Sequence, residues 1–294
     1  MQNRRGIAWL LVAATGYGSL VVLIKWAVAC GLNGETAMGM RFTIAALTWW
    51  IILLVRRRAA WPGGRQVLRA LAIGALLYTP NSLAYYYGTA RATGTVAAIA
   101  VAAVPVMVAL LAGLFLRERL GRASWLALGL TVIGGVMLAG GRDGRADALG
   151  LLLLGTAVLL YSAYIVASTP LVRAISPPIA TCYIVTGAAG CYWLWGGLSG
   201  RMDFAFAPPG WAAVVSLALL PTVLAMFAFL TGAEIVGATR AAIVNGLEPF
   251  VGVLLSVLFL GDRPGIVQLL GGGLVILAAV LVQRERARGD AVTR

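Results

Sequence analysis

The residues best able to do chemistry are few, and their types set narrow limits. Glu248 sits in an apolar run and is followed by Pro249. A carboxylate inside a bilayer is costly and is by default a functional residue. The proline removes a backbone hydrogen bond, so the helix is expected to kink or open there. Freed carbonyls and a carboxylate together could hold a substrate ammonium or a proton; the plainer role is a brace across the kink. Lys25 and Arg41 also lie inside apolar runs. Either could draw a substrate carboxylate, or reach the interface along its aliphatic stem. Arg41 could equally lock helices through backbone carbonyls. Glu248, Lys25 and Arg41 are the candidates for charge recognition or ion coupling.

Polar and aromatic residues suggest a lining. Tyr78, Asn81, Ser82 and Tyr85 recur at i, i+3, i+4 and i+7, one helix face beside Pro80. Tyr17, Tyr161 and Tyr164 fall in two further apolar runs, and Asn245 lies one turn before Glu248. As a group they suit a cavity for an amino acid with a sizeable apolar side chain. Singly, each is explained by interhelical hydrogen bonding. Pro80, Pro105 and Pro249 are the expected hinges.

Other chemistries are excluded by what the chain lacks. It has no histidine, and Lys25 is its only lysine. Histidine triads, His-ligated metals and the Gly-Lys-Ser/Thr phosphate loop are therefore unavailable. Cys30, Cys182 and Cys191 read as small apolar residues, since three cysteines build no disulfide framework. An intramembrane enzyme would need a nucleophile with a base, or a metal. Neither is present, so no enzyme, metal or cofactor is expected. The net charge of +13 is carried almost wholly by arginines clustered between apolar runs. That placement fits membrane topology and not a nucleic-acid-binding face.

These residues must be positioned by helices in a bilayer. The chain is 61% hydrophobic and 11% charged, against about a quarter charged in a soluble domain. A bilayer core of about 30 Å takes about 20 apolar residues per helix. Ten spans are read, at 7–29, 36–55, 67–88, 94–116, 124–140, 148–168, 179–198, 210–230, 238–260 and 265–282. The start resembles a signal peptide ending at Cys30, but Lys25 interrupts its apolar region and the pattern recurs along the chain, so it is read as the first span. Sixteen basic residues fall on the side of the termini and five on the other, which predicts cytoplasmic termini. Trp9, Trp26, Trp49, Trp50, Trp61, Trp193, Trp195 and Trp211 fall near span ends, as an interfacial belt would.

The chain also repeats. At a shift of 144 residues, Gly88–Arg119 matches Gly232–Arg263 at 12 of 32 positions, including Pro105/Pro249 and the shared Leu-Phe-Leu run, with Glu118 opposite Asp262. Tyr17 and Tyr161 pair in the same register. The division expected is 1–145 and 146–294, five spans each. Because five is odd, the second copy enters the membrane from the opposite side, the inverted repeat typical of alternating-access carriers. Glycines in the fifth and tenth spans, among them the repeat-equivalent Gly129 and Gly273, suggest that these two pack as a symmetric pair, with a homodimer contact as an alternative.

The ordered set Gly16-Tyr17-Gly18-Ser19, Lys25, Met40-Arg41-Phe42, Leu114-Phe115-Leu116-Arg117-Glu118-Arg119, Leu247-Glu248-Pro249-Phe250 and Leu258-Phe259-Leu260-Gly261-Asp262-Arg263 resembles the drug/metabolite transporter superfamily, EamA type, over essentially the whole chain. Asp262 stands where that family usually has Glu. The resemblance implies a ten-helix carrier of the bacterial inner membrane. Within the family the chain is most similar to bacterial exporters of aromatic amino acids. Its partners would be a small-molecule substrate, the lipid bilayer and, if export is coupled, protons.

Overall fold

The computed structural model describes residues 2–56, 61–91, 94–118, 121–138, 147–260 and 265–292. Described residues form helices and no strand. They group into ten rods. The first is α1 (Gln2–Gly18) and α2 (Leu20–Ala29), joined at Ser19. The second is α3 (Gly34–Val55). The third is α4 (Gly64–Ala72), a π-helical turn (Ile73–Tyr78) and α5 (Thr79–Ala90). Next come α6 (Gly94–Phe115), α7 (Arg122–Leu138), α8 (Ala148–Ile175) and α9 (Pro177–Ser199). The eighth rod is α10 (Pro209–Ala218), a second π turn (Leu219–Leu224) and α11 (Ala225–Val236). The ninth is α12 (Ala238–Asn245) and α13 (Glu248–Leu260), and the last is α14 (Ile266–Val292). Six stretches, from Arg4–Ala29 to Ala238–Phe259, are long and apolar enough on their own to cross a bilayer. The chain is an all-α integral membrane protein.

Three expected spans differ in form. The ninth is not one helix: it breaks at Gly246 and Leu247, where the Leu247 amide turns back to the Val244 carbonyl at 3.2 Å. Pro249 has no N–H to continue the ladder from Asn245, which accounts for the break. The third contains a π turn, in which the Thr79 hydroxyl bonds the Gly74 carbonyl five residues back at 3.0 Å. The sixth is expected over 148–168, yet α8 runs on through Ser168, Thr169 and Pro170 to Ile175. Both hydroxyls fold back on the Ile165 carbonyl, at 3.1 and 2.8 Å, so the pair costs the helix little inside a bilayer. The other two prolines also differ in setting: α6 continues through Pro105, and Pro80 lies just past the first π turn.

Short reversals alternate the rods. Gly6 sits against Val236, and Glu118 caps α12 through the Ala238 and Thr239 amides at 2.9 and 3.2 Å. A carboxylate there meets the free amides and positive end of a helix. Only Gly237, at φ 90°, separates α11 from α12. At the far end the Ala207 amide bonds the Cys30 carbonyl at 2.9 Å, and the Asp203 amide bonds the Thr36 hydroxyl at 2.9 Å. The long pairings are α3 with α9, α1 with α11, α5 and α6 with α8, and α7 with α14. In the last pair a Cβ on Gly134 would come within 2.6 Å of the Gly271 carbonyl. Gly129 and Gly273, by contrast, face open space, so other glycines make the close approach.

One tryptophan leaves the expected belt. Trp49 is buried, with its ring 5.1 Å from that of Phe227. Trp26, Trp61, Trp193, Trp195 and Trp211 are exposed on the apolar surface.

Candidate transport site

Tyrosines from both halves of the chain meet in mid-bundle. Tyr78 ends the first π turn, and its ring lies 4.7 Å from Tyr164 on α8. Tyr161, one turn earlier on α8, stacks on Tyr164 at 5.8 Å. Tyr17 enters from α1. Glu248 begins α13 at the break in the ninth rod. Its Oε2 accepts from Asn245 Nδ2 at 3.1 Å, across the break between α12 and α13. Several polar atoms are buried here with no hydrogen-bond partner among the described residues: the hydroxyls of Tyr17, Tyr164 and Ser162, and Asn245 Oδ1. Buried polar groups in a bilayer normally find partners, so a cluster of them marks a place where a polar ligand or water would be held. Glu248 remains half-buried although it lies mid-rod, and Tyr85 is 36% exposed.

The expected third-span face is only partly assembled. Tyr78 is buried in the tyrosine cluster. Ser82 spends its hydroxyl on the Tyr78 carbonyl at 2.9 Å. Asn81 and Ser82 are half-buried.

Two residues absent from the expected lining extend the cluster. Phe42 on α3 lies 5.5 Å edge-on from Tyr78 and stacks on Tyr192 of α9 at 5.4 Å. The signal for Phe42 was its place beside Arg41; Tyr192 had none beyond an aromatic in an apolar run. Arg41 itself is buried at 5% exposure. It is not at an interface, and among the described residues its Nε donates to the Thr222 hydroxyl at 2.6 Å and not to a backbone carbonyl. Thr222 lies in the second π turn. The Lys25 side chain lies outside the described residues.

Ion pairs join the halves at the far end of the bundle. Glu35, buried at the start of α3, accepts from the Tyr87 hydroxyl and lies 3.7 Å from Arg201. Arg91 pairs with Asp147 at 2.9 Å. The Gly150 amide, with Arg91, holds the Asp147 carboxyl below the usual carboxylate range.

A carboxylate beside an aromatic cluster, walled by rods from both halves, is the arrangement expected at the centre of a membrane carrier. The sequence matches the EamA-like transporter family twice, over residues 4–140 and 148–284. The chain belongs to that family. It is 24% identical over 297 residues to the uncharacterized transporter YcbK of Bacillus subtilis, covering 97% of this chain and 95% of the relative. It is 26% identical over 280 residues to a probable terminal-alkyne amino-acid exporter of Streptantibioticus cattleyicolor, covering 90% and 92%. One solved crystal structure superposes with a TM-score of 0.81 at 18% identity, over 96% of this chain and 98% of that one. This last likeness concerns the fold.

Proposed function

We propose that this protein is a secondary carrier exporting amino acids, aromatic or large neutral ones first, by alternating access. The observation that carries the reading is the meeting of Tyr78 from the first half with Tyr161 and Tyr164 from the second, together with Glu248 held by Asn245 at the break in the ninth rod. A carrier site is expected there, beside broken helices. Glu248 takes the substrate ammonium or a proton, and the tyrosine rings take the apolar side chain. The family match at residues 4–140 and again at 148–284 has the same 144-residue step as the internal repeat. Interchanging the first and last five rods turns the α1–α11 pairing into α8–α5, and keeps α3–α9 and α7–α14 as they are. Both observations support two inverted repeats, 1–145 and 146–294, that exchange conformations. The relative named as an amino-acid exporter supports the substrate class.

The test is uptake into proteoliposomes of a panel of labelled amino acids, with and without a proton gradient. Saturable uptake of phenylalanine, tyrosine or leucine is expected. A panel with no uptake of any member would remove the amino-acid reading, and equal rates in both gradient arms would remove proton coupling.

The arginine distribution supports cytoplasmic termini in a bacterial inner membrane. Single cysteines replacing the exposed Trp61 and Phe204 should therefore react with an impermeant maleimide from opposite sides. In intact cells Phe204→Cys should label and Trp61→Cys should not. The reverse pattern would invert the topology. A homodimer through the α7–α14 pair is tested by light scattering of the purified protein, where a monomer mass would exclude it.

A further inference from the structure

Arg41 is a buried cation without a matching anion. Its exposure is 5%, and no carboxylate lies within 4 Å of it among the described residues. The hydrogen bonds it makes there are Nε to Thr222 Oγ1 at 2.6 Å and Nη1 to Met38 Sδ at 3.6 Å. The guanidinium carbon lies 5.1 Å from the Phe42 ring centroid. A guanidinium offers five N–H donors in a planar fork shaped for two oxygens of one carboxylate. One hydroxyl and one thioether sulfur are weak compensation for a charge removed from water.

Thr222 is itself fully buried, and its hydroxyl donates to the Leu217 carbonyl at 3.0 Å, five residues back across the π turn. The hydroxyl thus accepts from Arg41 and donates to the turn at once. Arg41 is also adjacent to the site: the Phe42 ring beside its guanidinium lies 5.5 Å from Tyr78 and 5.4 Å from Tyr192. Arg41 lies about 10 Å from the start of α3, and Glu248 about 15 Å from the start of α12, at 1.5 Å per residue. These starts are at opposite ends of the bundle, so in rods of about 33 Å the two charges are separated by roughly 8 Å along the axis. Extended side chains reduce that gap to the scale of one small zwitterion.

We propose that Arg41 is the anchor for the carboxylate of the transported molecule, and that the Thr222 hydroxyl is its place-holder, displaced when the carboxylate binds. This rests on the amino-acid reading of the site and deepens it: the substrate must carry a carboxylate, and Arg41 rather than Glu248 selects for it. Thr222 is a positioning residue, acting through Arg41. Loss of the anchor weakens binding. Loss of the place-holder leaves the empty site less well satisfied and so strengthens binding.

The experiment is thermal unfolding of the full-length protein in detergent, titrated with phenylalanine, tyrosine and leucine and, in parallel, with their carboxamides. The acids should stabilise the wild type and the carboxamides should not. Arg41→Gln should raise the half-saturating acid concentration about 10- to 100-fold, the scale of one charged hydrogen-bond pair. Arg41→Lys should fall between, because it keeps the charge without the fork. Thr222→Val should lower that concentration, and Thr222→Ser should restore it. A purely structural bond between Arg41 and Thr222 would weaken binding in both Arg41→Gln and Thr222→Val. Equal stabilisation by acid and carboxamide, or an Arg41→Gln response like the wild type's, would overturn the assignment. If no acid stabilises the wild type, the anchor is also overturned, and uptake in proteoliposomes then decides separately whether the amino-acid reading stands.

Discussion

Glu248→Gln should reduce transport about 10- to 100-fold while leaving folded protein in the membrane. Glutamine keeps the size of the side chain and can still meet Asn245, which now donates to Oε2 at 3.1 Å. It loses the charge. A charged hydrogen bond is worth about 1.5–3 kcal/mol, which converts to that range. The alternative role is a brace across the break at Gly246 and Leu247. A brace depends on hydrogen bonding at the break, and glutamine preserves much of it. The two roles therefore separate in paired measurements of initial transport rate and melting temperature. Near-normal transport by Glu248→Gln would reduce the residue to a brace.

The largest loss of stability should come from Gly74→Ala and Gly187→Ala. A Cβ on Gly74 would lie 2.0 Å from the Ile184 carbonyl oxygen, and one on Gly187 would lie 2.3 Å from the Leu71 carbonyl oxygen. Both obstacles are backbone atoms, which cannot rotate aside. The first π turn and α9 thus touch main chain to main chain, across the two halves. Overpacking of this kind costs about 1–3 kcal/mol or more. Each variant should melt well below the wild type in detergent. Gly190→Ala, on the same helix but with nothing within 4 Å of its Cβ, should melt like the wild type. If all three behaved alike, the close approach would have no energetic weight.

Much of the fold can be read from hydropathy, because a bilayer imposes one length scale and forces the backbone to satisfy itself within each helix. That is why the ten apolar runs correspond to ten rods. Glu248 was legible for a related reason, since a lone carboxylate stands out against Leu and Val. The π turns were not legible. Ile73–Tyr78 and Leu219–Leu224 are ordinary apolar sequence, and what marks them is a threonine hydroxyl bonded to a carbonyl five residues back. Threonine makes such backbone bonds in regular helices throughout this chain, for example Thr43 to Gly39 at 2.7 Å. Local residue type therefore carries no warning. The partner of Arg41 was hidden too, because a bond over 181 residues of chain depends on which rods become neighbours.

The one-residue link at Gly237 has a counterpart at Ser176, the single residue between Ile175 and Pro177, held at φ 71°. One residue of chain reaches at most about 3.6 Å, and one helical turn is about 5.4 Å. Neither α8 against α9 nor α11 against α12 can slide by a full turn without unravelling an end. An elevator-like displacement within either pair is thereby closed off. Each pair is a hairpin pinned at its apex, with its freedom to splay at the opposite mouth. Relative motion of α8 and α9, or of α11 and α12, is therefore a scissoring of pinned hairpins.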